Sequence, residues 1–221
     1  GIERLDKKKI LSIFSYGKTL IFQFDTFALR IHFMLFGSFQ ATVNGVKVTG
    51  DYPAKARIPR LAFELANGSI QMYSCSVSFI ESADIKREYD YTIDIMSDVW
   101  DSKKALKALN EHSEEEIADV LLDQSIFMGV GNIIKNEVLL LAGVAPTTKV
   151  KELSAQKLKK IVDITREYVF QFYEWRKLFV LRKNYKVYKQ KKCRVCASPV
   201  IRKQTGSRKR TSYICTVCQK Y

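Results

Sequence analysis

Two pairs of cysteines near the C-terminus constrain the fold of this chain more than any other feature of its sequence. Cys193 and Cys196 form one Cys-x2-Cys turn, and Cys215 and Cys218 form a second turn after 18 intervening residues. Each turn can present two thiolates to the same tetrahedral metal, whereas disulfides are the alternative in an oxidising compartment. The spacing predicts one structural Zn²⁺ per chain, with a β-hairpin between the two turns. The fifth cysteine, Cys75, lies in a predicted strand and is expected to be an inert core residue.

The positive charge of the chain is concentrated around these cysteines. The net charge is +14, and residues 176–221 contain 15 of the 37 Lys and Arg but none of the 23 Asp and Glu. A disordered basic tail is the alternative, but such tails lack metal ligands and aromatic residues. This segment contains four cysteines together with Phe179, Tyr185, Tyr188 and Tyr213. It is therefore predicted to be a folded module that binds a polyanion.

Basic residues also occupy the loop of the predicted hairpin, between the two cysteine turns. They are Arg202, Lys203, Arg208, Lys209 and Arg210. Such a loop can enter a nucleic-acid groove or bind phosphates, so Arg208, Lys209 and Arg210 are predicted DNA contacts. A zinc ribbon that contacts only protein is the alternative, and the lack of acidic residues around it argues against that alternative.

The N-terminal part of the chain has the pattern of antiparallel β-hairpins. Residues Thr19 to Asp25 and Ala28 to Phe33 are rich in β-branched and aromatic residues and partly alternate, which indicates strands. Asn44-Gly45 and Asn67-Gly68 each separate such runs, and this pair suits a two-residue turn because both central positions take positive φ. A β-rich region is therefore predicted to about Ile95.

Helical periodicity replaces the strand pattern from Ser102 onward. A capping box at Ser113–Glu116 predicts a helix that follows directly, with Ile117, Val120, Leu121 and Gln124 at helical spacing. A further helix is predicted from about Ser154 to Val180. Gly129-Val130-Gly131-Asn132 interrupts the helical pattern, and its N–H groups can point at a phosphate. A tight turn with Asn132 as a helix N-cap is an equally good interpretation of these four residues.

The cellular location follows from what the sequence lacks. No apolar run is long enough to span a membrane, and the N-terminal segment has no apolar core that could serve as a signal peptide. These features predict a soluble intracellular protein. The hydrophobic content of 47% is enough for one large core or two modest cores.

Several short motifs, in their order along the chain, match a known family. They are Tyr16-Gly17-Lys18, His32 to Gly37, Leu121 to Gln124, Gly129 to Ile133 with Glu137, Val187-Tyr188, and the four-cysteine hairpin ending in Cys218-Gln219-Lys220. This series resembles the formamidopyrimidine-DNA glycosylase/endonuclease VIII family over nearly the whole chain. The resemblance implies an α+β fold with a sandwich-like antiparallel β-rich domain (residues 1–101), a helix-two-turn-helix domain (102–185) and a zinc hairpin (186–221).

The resemblance also implies roles for individual residues. Lys18 matches the active-site lysine near the phosphate that flanks the damaged nucleotide. Asn132, in the loop with Gly129 and Gly131, resembles the asparagine that holds a phosphate. Arg210 resembles the hairpin arginine that grips the phosphates of the extruded nucleotide. Without the family, Lys18 would be interpreted as an ordinary lysine at the start of a strand.

A further set of implied DNA contacts lies in the His32 to Gly37 segment, which is closer to endonuclease VIII than to the purine-type enzymes. Leu35, between Met34 and Phe36, falls where the family inserts a side chain into the gap left by the flipped base. The alternative interpretations are that Leu35 is an ordinary core residue and that His32 has a structural role. The purine-type Arg-Arg-Phe-Gly segment is absent from Tyr73–Phe79. The resemblance implies that the partner is duplex DNA with oxidised bases, pyrimidines favoured, or with abasic sites. It also implies a monomer in the cytoplasm and nucleoid of a bacterium or in the nucleus of a eukaryote.

The start of the chain departs from the family pattern. The family's nucleophile is an N-terminal proline followed by glutamate, whereas this chain begins Gly1-Ile2-Glu3 and its four prolines are internal. The proline amine attacks C1′ of the flipped nucleotide and forms the iminium from which the strand is cleaved. The chain as written is thus expected to bind abasic DNA without cleaving it. It is either part of a glycosylase/AP lyase or a non-catalytic damaged-DNA-binding zinc protein; a zinc-ribbon adaptor unrelated to repair would not explain the Gly129–Asn132 motif.

Overall fold

The computed structural model describes residues 2–50, 57–82 and 85–220. The chain divides into two compact units, residues 1–89 and 90–221. Gly1, the first residue of the chain, and Pro53, one of its four prolines, lie outside the described residues. The helical segments and the cysteine hairpin belong to one unit, and the division into three domains stays a prediction. No helix in the described ranges is long and apolar enough to cross a bilayer.

The first unit is built on one antiparallel sheet. Its strands are β1 (Ser12–Tyr16), β2 (Thr19–Gln23), β3 (Ala28–Val43), β4 (Val46–Thr49), β5 (Leu61–Leu65) and β6 (Gly68–Ile80), and a helical turn, α1 (Ile85–Glu88), follows. Their order in the sheet is β1-β2-β3-β6-β5, with β4 paired to the distal half of β3. The predicted β-rich antiparallel architecture is confirmed. The resemblance implies a sandwich-like domain, and the described strands of this unit form one continuous hydrogen-bonded sheet.

The two Asn-Gly pairs differ in how they turn the chain. Asn44 (φ 50°) and Gly45 (φ 76°) are the central residues of the β3–β4 turn, as predicted. The second prediction is wrong by one position, because Leu65 pairs with Gly68 and the turn consists of residues 66 and 67. Gly68 has φ 156°, and a Cβ there would lie 1.8 Å from the Thr42 carbonyl oxygen. Close packing of strands, not the turn, therefore requires this glycine.

The core of the first unit consists of side chains from one face of the sheet. Phe22, Leu29, Ile31 and Met72 are fully or almost fully buried there. Burial of each such side chain contributes about 1.5–3 kcal/mol. Cys75 joins this cluster, and burial raises the pKa of its thiol, so it is the inert core residue that the sequence predicts.

The second unit combines helices with a two-stranded hairpin. Its elements are α2 (Ser102–Glu111), α3 (Ile117–Val120), α4 (Asn132–Ala142), α5 (Ala155–Lys177), α6 (Leu181–Asn184), β7 (Ile201–Thr205) and β8 (Arg210–Ile214). The α+β class is thereby confirmed. Helix α4 ends at Gly143, which adopts the left-handed conformation (φ 72°) common after helices.

The two predicted helix starts have different outcomes. The capping box at Ser113 is wrong: α3 starts at Ile117 behind Glu116, whose side chain makes no cap, and it lasts one turn. The Ser113 carbonyl instead accepts a hydrogen bond from the Lys151 N–H. The prediction for α5 is better, because the Ser154 hydroxyl accepts from the Lys157 N–H at the helix start.

The α5 periodicity places its apolar face in the core of the second unit. Leu158, Ile161, Val162, Thr165 and Val169 are all buried, as the sequence pattern predicts. They pack in a cluster with α4 side chains that include Val138 and Leu139. This core makes α4 the central helix of the unit, and it carries the residues that contact the hairpin.

Candidate nucleic-acid interface and metal site

The four cysteines of the hairpin come together as predicted. Their Sγ atoms all lie within 4.8 Å of one another, so they can hold one metal ion. Hydrogen bonds from Ser198 lower the pKa of the Cys196 thiol to about 6. Burial raises the pKa of Cys215, and hydrogen bonding with Cys196 raises the pKa of Cys218. Among these three thiols, Cys196 most readily supplies the thiolate form that binds a metal. Cys193 and Cys215 are buried, whereas Cys196 and Cys218 are partly exposed.

The second cysteine turn is tied to the end of α4. Buried Gln219 accepts a hydrogen bond from the Cys215 N–H (2.9 Å) and donates one to the Val144 carbonyl (2.9 Å). A side-chain amide that bonds at both ends resists reorientation, because a break at either end leaves a buried polar group unpaired. The cysteine cluster is thus fixed relative to the helical part of this unit.

The tip of the hairpin is also held by the helical segment. The Ser207 N–H and hydroxyl donate to Asp119 Oδ2 at 2.6 and 2.8 Å. Arg208 donates to the Leu122 carbonyl (2.9 Å) and pairs with Asp123 (2.7 Å). Of the three predicted DNA contacts in this loop, Arg208 is thus engaged within the protein. The side chains of Lys209 and Arg210 are exposed.

The Gly-x-Gly-Asn segment forms the turn that leads into α4. Gly129 takes φ 98° and its N–H donates to Gln124 Oε1 at 3.3 Å. Gly131 is the N-cap of α4, so the interpretation of Asn132 as the N-cap is wrong by one position. The Asn132 amide instead donates to the Thr211 carbonyl at 3.0 Å, directly after Arg210 on β8. The structure therefore brings this predicted phosphate ligand beside the predicted hairpin arginine.

Glu137 explains why its motif and Val187-Tyr188 occur together. Its fully buried carboxylate accepts hydrogen bonds from the N–H groups of Lys186 (2.8 Å), Val187 (3.0 Å) and Tyr188 (2.7 Å). Charge-assisted bonds of this kind are about twice as strong as neutral ones. They fix the segment that leads into the first cysteine turn, where the Arg194 N–H donates to the Lys186 carbonyl.

Lys135 and Asp119 contact the hairpin, although the sequence patterns predict a role for neither. Lys135 is fully buried on α4, and its ammonium donates to the Ser212 hydroxyl at 2.6 Å. Burial and then the charge of Arg210 lower its pKa to about 8, against an opposing effect of Asp119. A clue existed in Asn132, Lys135 and Asn136, which are three polar residues at helical spacing in a helix whose only other polar residue is Glu137.

In the first unit, Lys18 and His32 are exposed, Lys18 in a turn and His32 on strand β3. Lys18 belongs to the two-residue turn between β1 and β2, where its neighbour Gly17 takes φ 56°. His32 pairs with Thr19 across the β2–β3 ladder, and its side chain is exposed. Neither residue is part of the apolar core, so both are accessible to a ligand.

The predicted insertion residues form an exposed apolar tip. Met34, Leu35 and Phe36 are 61%, 81% and 60% exposed and sit in a bulge, where the β3–β6 register shifts between Phe33 and Ser38. The alternative that Leu35 belongs to the core is therefore wrong. Arg57 donates to the Phe36 carbonyl (3.0 Å) and contacts the Ser74 hydroxyl, which supports the tip from the side.

Comparisons with known proteins agree with these observations. The profile of the formamidopyrimidine-DNA glycosylase H2TH domain matches residues 93–171. The mouse protein Endonuclease 8-like 3 is 34% identical over 207 residues, which is 92% of this chain and 33% of that protein. The human protein Endonuclease 8-like 2 is 33% identical over 145 residues, 63% of this chain and 41% of that protein. The chain thus spans about a third of the length of the first of these relatives.

Solved structures share the fold. The crystal structure of Lactococcus lactis formamidopyrimidine DNA glycosylase, non-covalently bound to DNA with an AP site, superposes with a TM-score of 0.82 at 23% identity, covering 100% of this chain and 86% of that one. A viral DNA glycosylase superposes with a TM-score of 0.79 at 22% identity, covering 96% and 86%.

Proposed function

Because this chain belongs to the formamidopyrimidine-DNA glycosylase/endonuclease VIII family, on its endonuclease VIII branch, we propose that it acts in base-excision repair as a DNA glycosylase with AP lyase activity. Its substrate is duplex DNA with oxidised bases, pyrimidines favoured, or with abasic sites. It acts as a monomer in the compartment that holds the cell's DNA. The proposal for pyrimidines rests on the absence of the purine-type Arg-Arg-Phe-Gly segment from residues 73–79.

One observation carries this proposal: the hydrogen bonds that join the hairpin to the helix-two-turn-helix segment. The Asn132 amide bonds the backbone of Thr211, the residue that follows Arg210. Asn132 is thus tied to the strand that carries Arg210, and in this proposal the two residues act on neighbouring phosphates of one DNA strand. Lys209 adds a second exposed cation beside them, and phosphate contacts of this type set the register of a protein on duplex DNA.

The metal in this proposal is structural zinc. Four thiolates at tetrahedral spacing suit Zn²⁺, and all four positions are protein ligands, as in closed structural sites. When bound, the ion would cross-link the two cysteine turns and stabilise the hairpin. The residues Cys193, Cys196, Cys215 and Cys218 would hold it, while the phosphate contacts are made by side chains of the protein.

Base flipping gives the exposed tip its role. Extrusion of a nucleotide costs a few kcal/mol of stacking and pairing, which inserted side chains can offset. Leu35, with Met34 and Phe36 beside it, presents apolar surface that would otherwise face water. We assign Leu35 to the gap in the duplex and Lys18 to the phosphate next to the extruded nucleotide. Both assignments rest on the family resemblance together with the exposure of these side chains.

The proposal is tested first by DNA binding. Duplexes with a tetrahydrofuran abasic analogue, with 5-hydroxyuracil or with no lesion are titrated at several salt concentrations. We expect tighter binding to the lesion duplexes, and a log–log salt slope of about −4 to −7 from roughly four to eight phosphate contacts. Arg210→Met should weaken binding about tenfold and make the slope shallower by about 1. Lys160→Met, an exposed α5 lysine, is the matched control. Equal affinity for all three duplexes would contradict damage recognition.

Activity is tested on the protein as its own gene encodes it. Oligonucleotides with one oxidised pyrimidine or one 8-oxoguanine are incubated with it, and borohydride is added to trap a covalent intermediate. We expect base release and trapping, faster for the pyrimidine lesions. Lesion binding without base release or trapping would exclude the glycosylase activity and leave a damage-binding protein.

A further inference from the structure

Helix α4 contacts strand β8 through a row of polar side chains on one face. Asn132 donates to the Thr211 carbonyl (3.0 Å), and Asn136 accepts from the Tyr213 N–H (2.7 Å). Between them, Lys135 donates to the Ser212 hydroxyl (2.6 Å). These side chains bond the edge of β8 opposite β7, where another strand would otherwise pair. The outer edge of β8 is thus covered by helix α4 and not by a third strand.

The contact from Lys135 continues across the hairpin. Ser212 and Thr205 share a hydroxyl–hydroxyl hydrogen bond of 2.6 Å, and Thr205 is the partner of Arg210 in the β7–β8 ladder. The ammonium of Lys135 occupies one of the two lone pairs of the Ser212 hydroxyl, and either hydroxyl can donate in the Ser212–Thr205 bond. The network therefore runs from α4 through β8 to β7. Arg210 is the first residue of β8, directly after the turn, and lies opposite Thr205.

The charged groups near Lys135 indicate that this residue does more than fill space in the core. It is fully buried, and the charged groups that act on it are Arg210 on β8 and Asp119 on α3. A buried ammonium is costly unless it is hydrogen-bonded, and an apolar side chain would fill the same space more cheaply. Two cations close together favour an anion next to them, and in DNA that anion is a phosphate.

We propose that Lys135 is a positioning residue that orients Arg210 through Ser212 and Thr205 and adds its own charge behind the bound phosphate. This rests on the proposed role of Arg210 as a phosphate contact. Lys135 is buried and does not touch DNA itself. Its pKa of about 8 supports the same conclusion, because a phosphate at Arg210 would raise it. DNA binding would then take up a proton, and the affinity would fall as the pH rises from 7 to 9.

A double-mutant cycle tests the proposal on the abasic duplex. Lys135→Met keeps an unbranched side chain that is one heavy atom shorter and removes the ammonium. We expect Lys135→Met to weaken binding about fivefold and Arg210→Met about tenfold, and the double variant to be no more than about twofold weaker than Arg210→Met. Lys135→Met should also abolish the loss of affinity between pH 7 and 9. A merely structural role would leave that pH profile unchanged.

The controls separate this proposal from the proposed function. Lys160→Met should bind as the parent does. Zinc content and thermal unfolding are measured for each variant, and Ser212→Ala replaces Lys135→Met if the latter does not fold. If Arg210→Met binds normally, the proposed function of Arg210 fails. Two results would overturn the positioning role when Arg210→Met does weaken DNA binding. In the first, Lys135→Met or Ser212→Ala weakens binding of the Arg210→Met protein as much as it weakens binding of the parent. In the second, neither substitution weakens binding of the parent.

Discussion

Replacement of Glu137 by glutamine is the sharpest test of how the second unit is held together. The carboxylate is fully buried and accepts hydrogen bonds from the N–H groups of Lys186, Val187 and Tyr188. One oxygen accepts from Val187 and Tyr188, and the other accepts from Lys186. Glutamine has the same shape but only one acceptor oxygen, so its amide nitrogen must face at least one of these donors.

The magnitude follows from the bonds that change. If the amide oxygen faces Val187 and Tyr188, two charge-assisted bonds become neutral, at a loss of roughly 1 kcal/mol each. The Lys186 N–H then loses its acceptor and faces another donor, which costs about 1–3 kcal/mol. The lower cost of burying a neutral amide offsets part of this loss. We expect Glu137→Gln to lower the free energy of unfolding of this unit by about 3 kcal/mol and its Tm by roughly 10 °C.

The assay is urea and thermal unfolding of the zinc-loaded protein, followed by circular dichroism. Glu167→Gln, at an exposed position of α5, makes the same chemical change and should alter stability by less than about 0.5 kcal/mol. If Glu137→Gln also changed the free energy of unfolding by less than about 0.5 kcal/mol, the reasoning would be refuted, because the three hydrogen bonds to the buried carboxylate would then not stabilise the fold. Zinc release should also become faster in Glu137→Gln, since the Lys186 segment bonds the first cysteine turn.

Three further predictions concern the metal, the tip and the buried lysine. Metal analysis should find one zinc per chain, and Cys215→Ala combined with Cys218→Ala should lose it; full retention would exclude the four-cysteine site. Leu35→Ala should weaken binding to the abasic duplex by roughly three- to tenfold and leave unfolding unchanged within about 0.5 kcal/mol, because the side chain is 81% exposed; lower stability with normal binding would make Leu35 a core residue after all. The pKa of Lys135 is about 8 in the folded state, below its ordinary value of 10.5. Between these two pH values the unfolded chain binds more protons than the folded chain, so the free energy of unfolding should rise with pH. This rise should be seen in the parent and not in Lys135→Met. Identical pH profiles in unfolding experiments would show that the pKa is not lowered.

Local patterns in the sequence predict much of this fold. The Asn44-Gly45 turn, the start of α5 at Ser154 and the buried face of α5 each depend on residues a few positions apart. Their conformations follow from φ preferences, capping and helical periodicity. The same reasoning fails at Asn67-Gly68, where a contact with the backbone of Thr42 decides the register. It fails also at Ser113, because a carbonyl contact with the Lys151 N–H replaces the expected cap.

The candidate site divides in the same way. The spacing of the four cysteines by itself determines that they can meet at one metal, because two short turns joined by a hairpin leave few other arrangements. The sequence by itself also determines where the positive charge is concentrated. The roles of Arg208, Lys135 and Glu137 were decided only by the tertiary structure. Their partners lie far away in sequence, 77 positions between Lys135 and Ser212 and 49 between Glu137 and Lys186. A buried charge is tolerated only where its partners converge in space, and residue spacing does not record that convergence.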